Sequence, residues 1–161
     1  MYAPRRLLNV PLLTVLAAIS AVGCQPASSG SVVYRNDQLG FSFSLPASWR
    51  GYSIIIDQWQ GMASGSQGDT VVQTGPLILI RHPLWTIEVP RQDIPIMAFT
   101  PSQWSAVQQG VFFVSAAGVG PTELGHNDRY VFALPPRYDY AFLPGWQEVE
   151  TILQGNPLHT P

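Results

Sequence analysis

Three histidines, one cysteine and eight arginines hold most of the reactive chemistry in these 161 residues, and there is no lysine. A metal or hydrolytic centre needs several such groups to converge. The set a fold would have to gather is His82, His126 and a nearby acid such as Asp93. His82 follows Ile78 and Ile80 at alternate positions, which is also where a histidine closes the buried row of a strand. His126 stands in Gly125-His126-Asn127-Asp128, a run whose Asn and Asp side chains suit a turn. His159 falls in what reads as a C-terminal tail. No spacing here demands convergence, so no metal ligand and no cofactor is assigned. Gly61-Met62-Ala63-Ser64-Gly65 has the wrong spacing for a nucleophile elbow, and a chain without lysine has no phosphate-binding P-loop. No catalytic residue follows from the sequence. An enzyme using His82 and His126 stays as the alternative to a binding protein.

The arginines and aromatic residues offer binding chemistry. Arg91 and Asp93 are two apart, as are Arg137 and Asp139, and each pair would share one face of an extended strand. Such arginines recognise carboxylate or phosphate ligands, or else pair locally at the surface. With only 11% charged residues, local pairing is the favoured reading. Tyr138, Tyr140 and Phe142 alternate with Arg137, Asp139 and Ala141, so in a strand the three rings line one side. A stripe of that kind holds a sugar ring or a partner's apolar patch, although aromatic rows more often form core beneath a helix. With Arg81, His82 and Trp85 added, the candidate binding residues are Arg81, His82, Trp85, Arg91, Asp93, Arg137, Tyr138 and Tyr140. A net charge of −2 supplies no basic footprint, so nucleic acid is not expected as a partner.

The elements that must position these residues are mostly strands. Val32 to Arg35, a turn at Asn36-Asp37, and the strict alternation Phe41-Ser42-Phe43-Ser44-Leu45 read as an antiparallel hairpin. Tyr52 to Trp59, Leu77 to Arg81, Ile94 to Phe99, Val111 to Ala116 and Arg129 to Leu134 read as further strands, and Gly61 to Thr70 as a loop. Thr100-Pro101-Ser102-Gln103 carries the start signals of a short helix that Gly110 stops. Trp146, Val149, Ile152 and Leu153 are spaced for a second helix over about 146–154, ended by Gly155 and Pro157. The class is α+β: an antiparallel β-sheet with a few short helices packed on its faces, after an N-terminal signal helix.

That signal occupies residues 1–23. Arg5 and Arg6 form a positive start, an uncharged run from Val10 to Val22 follows, and small residues lead into Cys24. The run is shorter than the ~20 residues a membrane span needs. Ala21-Val22-Gly23-Cys24 resembles the bacterial lipobox, which implies cleavage before Cys24 and acyl chains on that cysteine. Gln25 in place of an aspartate then favours the outer membrane of a two-membrane cell, or the outer face of the only membrane in a one-membrane cell. Removing residues 1–23 leaves six arginines against ten acidic residues, a net charge of −4, so the acyl anchor must hold the protein at the membrane. Gln25 to Ser31 is a tether reaching at most about 25 Å. The expected organisation is signal 1–23, lipidated cysteine and tether 24–31, one domain 32–155, and tail 156–161.

Tyr34-Arg35-Asn36, Gly40-Phe41-Ser42-Phe43, Leu45-Pro46 and Trp49 together resemble the opening hairpin of PsbP/Mog1-like domains. Ile80 to Trp85, Arg91 to Met97 and Tyr130 to Pro135 are similar to a family of small exported bacterial proteins without assigned function. The resemblance implies an antiparallel sheet with helices on its faces, and extrinsic binding or assembly in place of catalysis. It carries over no ligand residue. The expectation is a non-catalytic module of the cell envelope, held at the membrane through Cys24 and binding an envelope protein or a cell-wall component.

Overall fold

Phe41, Phe43 and Leu45 are buried while Ser42 and Ser44 between them are half-buried, the period of two that makes this segment a strand with one face in the core. The structure, a computed structural model, describes residues 30–66, 68–116 and 118–161. The signal segment, Cys24 and all but the last two residues of the tether lie outside the described residues. The strands are β1 (Val32–Asn36), β2 (Phe41–Leu45), β3 (Ser53–Gly65), β4 (Gly68–Arg81), β5 (Ile94–Phe99), β6 (Thr122–His126), β7 (Val131–Leu134) and β8 (Leu158–His159). The helices are α1 (Pro101–Gln108) and α2 (Trp146–Gln154), with one 3₁₀ turn at Ala47–Trp49. Among the described residues no helix is long and apolar enough to cross a membrane.

The strands form two antiparallel sheets, β1-β2-β8 and β3-β4-β5-β7-β6. The hairpin of β1 and β2 pairs Val32 with Leu45 through Asn36 with Phe41, as the alternation predicts. All six residues of β5 are buried, because the strand is covered on both faces. Ile94, Ile96 and Ala98 pack with Phe41, Phe43, Ile78, Ile80, Phe132 and Val149, which joins the small sheet and α2 to one face of the large one. Met97 and Phe99 point the other way, toward Trp59, Trp104, Val107 and Phe112. α1 begins as expected: the Thr100 hydroxyl accepts from the Gln103 amide, and the Gln103 side chain accepts from the Thr100 amide. α2 occupies the predicted residues, and its Val149 is fully buried.

Four expectations need correction. Residues 61–65 and 68–70 are paired strand, not loop, since β3 and β4 form a ribbon from Ser53 opposite Arg81 to Gly65 opposite Gly68. The outer half has no buried face and so shows no hydrophobic period, while its backbone pairing is continuous apart from a register shift between Gly61 and Met62. Val111 to Ala116 forms no strand; Phe113 alone bridges to Met62. His126 ends β6 and pairs with Val131, the turn lying beyond it. Residues 156–161 are no free tail, for Leu158 and His159 pair with Phe43 and Ser42, and Pro157 and Leu158 are buried. The domain therefore runs through the C-terminal residues.

Candidate binding site

One end of the large sheet gathers most of the residues singled out by type. There β3 begins, β4 ends, β5 begins and β7 ends, so segment 82–93, segment 135–145 and the start of α2 all meet. Gln92 ties the two segments together: its backbone amide donates to the Pro144 carbonyl (3.0 Å) and its side chain to the Tyr138 carbonyl (3.1 Å). Gln92 is almost fully buried, so these bonds replace its hydration.

Arg81 forms a two-point pair with Asp93, through Nη2 at 2.8 Å and Nε at 3.2 Å, and its guanidinium lies 3.9 Å from the centre of the Trp85 ring. Bonding to Asp93 holds the Arg81 pKa above its ordinary value. Asp93 thus pairs with Arg81, not with Arg91 as the two-residue spacing suggested. The group crosses between β4 and β5 and locks the root of segment 82–93.

His82 continues the buried row Ile78, Ile80 one step past the end of β4 and is 5% exposed. Its Nδ1 accepts from the Leu84 amide (3.0 Å), so the proton of the neutral ring sits on Nε2. That Nε2 lies 4.0 Å from Glu148 Oε2, and the ring stands edge-on to Trp49. Burial first, and then the charge of Arg91, hold the His82 pKa below its ordinary 6.5, with Glu148 pulling the other way. Arg91 Nη2 approaches the same carboxylate oxygen at 3.8 Å, ion-pair distance without a hydrogen bond. The Ser48 hydroxyl donates to the other oxygen at 2.7 Å. Glu148 is thus the hub of this end. Its place in the first turn of α2 is legible in the sequence, but its meeting with Ser48, His82 and Arg91 is not.

From Glu148 an open groove of about 500 Å³ runs along α2 toward the end of β2. Leu45, Pro46, Ile152 and Pro157 give it apolar walls, and Glu148 and Thr151 edge it. The groove exists because β8 pairs only with Ser42 and Phe43, leaving Leu45 beside α2 without a strand partner on that side.

Other predicted residues are placed differently. Tyr138, Tyr140 and Phe142 do not line a strand face, because Arg137 and Phe142 have left-handed φ values of 52° and 48° and the segment turns. Tyr138 packs on the core, where burial raises its pKa, whereas Tyr140 is 78% exposed and Phe142 stands edge-on to Trp146. Arg137 is exposed at that turn. His82 and His126 are not brought together. β5 and β7 intervene between their strands, and His126 lies at the Phe99 end of the sheet, on the order of 20 Å from the Ile94 end where His82 sits. His126 pairs locally with Glu123 at 2.8 Å. Among the described residues no group of three or more His, Cys, Asp or Glu side chains is placed to hold a metal ion.

Ser48, Glu148 and His82 lie in an order that does not activate a nucleophile, since the hydroxyl meets the carboxylate and not the imidazole. Compared with family models, curated proteins and solved structures, the chain matches none. The arrangement presents an apolar trough with a held carboxylate at its mouth.

Proposed function

We propose that this protein is a lipid-anchored module of the bacterial cell envelope that binds a segment of another envelope protein. The groove between β2 and α2 carries this reading: its apolar walls suit one or two aliphatic side chains, and Glu148 suits a donor or cation beside them. The export-type layout of residues 1–24 and the acyl chains implied at Cys24 supply the location. Gln25 favours the outer membrane in a two-membrane cell. The domain is of the PsbP/Mog1-like kind, a reading supported by the hairpin that Tyr34 to Leu45 forms and by the burial of Trp49 just after it.

The test places a photo-crosslinking residue at Thr151 in the full chain, expressed in a cell that acylates it. One discrete protein adduct is expected from Thr151 and none from the same residue at Val72, on the far part of the β3–β4 ribbon. Ile152→Asp removes the Thr151 adduct. Equal labelling at both positions, or an adduct that survives Ile152→Asp, overturns the proposal.

A further inference from the structure

Segments 82–93 and 135–145 leave the same end of the large sheet and are clamped together by Gln92. At their tips stand large apolar side chains in water: Leu84 is 67% exposed, Ile87 79%, Tyr140 78% and Phe142 64%. The tip of the first segment is a tight turn in which the Val89 amide donates to the Thr86 hydroxyl at 3.0 Å and the Thr86 amide to the Val89 carbonyl at 3.3 Å. Ile87 and Glu88 therefore stand at the apex, held out by the backbone and not by packing. Single exposed apolar residues are ordinary, but these four stand on two loops that leave one end of the sheet and are tied together by Gln92.

The way the described chain begins bears on what could cover it. A Cβ on Gly30 would lie 3.5 Å from the Arg50 guanidinium, and one on the adjoining Gly51 would lie 3.8 Å from Pro83, at the root of the first loop. The chain thus enters the domain beside these loops. Cys24 precedes Gly30 by six residues, a reach of at most about 22 Å. The tip of the β3–β4 ribbon, at Gly65 and Gly68, lies at the opposite end.

Charge follows the same division. Arg50, Arg81, Arg91 and Arg137 belong to the loop end, four of the six arginines beyond Cys24. Glu88, Asp93, Asp139, Glu148 and Glu150, the last beside Tyr138, oppose them, so the loop end carries only −1 of the −4 of the chain after residue 23. An anionic bilayer repels the rest of the surface and tolerates this end.

We infer that the bilayer surface is the partner of this end, with Leu84, Ile87, Tyr140 and Phe142 seated in the interfacial layer. Tyr suits that layer because its ring is apolar and its hydroxyl stays wet. The domain then stands on the membrane with the β3–β4 ribbon directed away, and the groove opens on its flank close to the lipid. This inference rests on the anchor proposed at Cys24, and it adds an orientation that the anchor alone does not impose.

The test uses the full acylated chain in vesicles of phosphatidylcholine and phosphatidylglycerol. An environment-sensitive fluorophore is attached to Ile87→Cys or, as control, Val72→Cys. Emission at Ile87→Cys rises severalfold over the vesicle-free protein and is quenched by spin-labelled lipid, while Val72→Cys stays in water. No change at Ile87→Cys, or the same change at both positions, overturns the inference. Intact mass shows separately whether Cys24 carries acyl chains. A bare Cys24 defeats the anchor reading, and the same two labels placed in a Cys24→Ser background then still report on the loops when vesicles are added.

Discussion

His82 is a buried neutral imidazole, and its protonation is coupled to folding. Its folded pKa lies below 6.5, so as pH falls the unfolded chain takes up the proton first. Stability that is fully present above 6.5 is lost as pH drops through 6.5 toward the folded value. The thermal midpoint of the wild type therefore falls over that window, and scans at a series of pH values measure it. His82→Asn keeps an acceptor for the Leu84 amide and removes the titration, so its midpoint changes less with pH than that of the wild type; equal slopes for the two proteins reject this account. The burial of His82 was legible in the row Ile78, Ile80, His82. Its partners were not, because Glu148 and Ser48 reach it from segments far along the chain, and local spacing carries no record of such meetings.

At the scale of elements, the β3–β4 ribbon shows how a segment free of hydrophobic period is still a strand. Its inner part is held by rings lying across glycines. A Cβ on Gly75 would come within 2.5 Å of the Trp59 ring, and one on Gly61 equally close to Phe112. Trp59 cannot yield, since it stacks on Phe99 and its indole N–H donates to the Ala98 carbonyl at 2.9 Å. Gly75→Ala should therefore lower stability by about 1–3 kcal/mol, the cost of overpacking a filled site, as read by urea denaturation. Gly75-Pro76 resembles a chain breaker in sequence, yet here the glycine is the residue that lets the indole lie flat on the strand. By contrast, the first hairpin and both helices were legible, because each has a buried face or a cap that local sequence must encode. The alternation over residues 137–142 misled for the converse reason: a period of two needs a ladder partner to become a strand, and this segment has turns instead.

At the scale of the molecule, the chain entry, the apolar loop tips and four of the six arginines beyond Cys24 share one end, while the ribbon tip occupies the other. The anchor proposed at Cys24 precedes the described domain, which begins at Gly30, so attachment and folding can be tested separately. Cys24→Ser should move the protein from the membrane to the soluble fraction on cell fractionation, while the thermal midpoint of the purified domain stays unchanged. A variant that remains in the membrane fraction counts against the anchor, and one whose midpoint falls shows that residues before Gly30 contribute to the fold.

The sequence by itself determined the α+β class, the opening hairpin, the cap of α1 and the bounds of α2, because each depends on side-chain periods or caps that neighbouring residues supply. Tertiary structure alone decided that residues 156–161 close a sheet, that Asp93 pairs with Arg81, that Glu148 gathers Ser48, His82 and Arg91, and that His82 and His126 stand apart. The physical reason is strand order. Which strands neighbour one another is set by burying all faces at once, and two histidines equally suited to a shared site are separated once β5 and β7 pack between their strands.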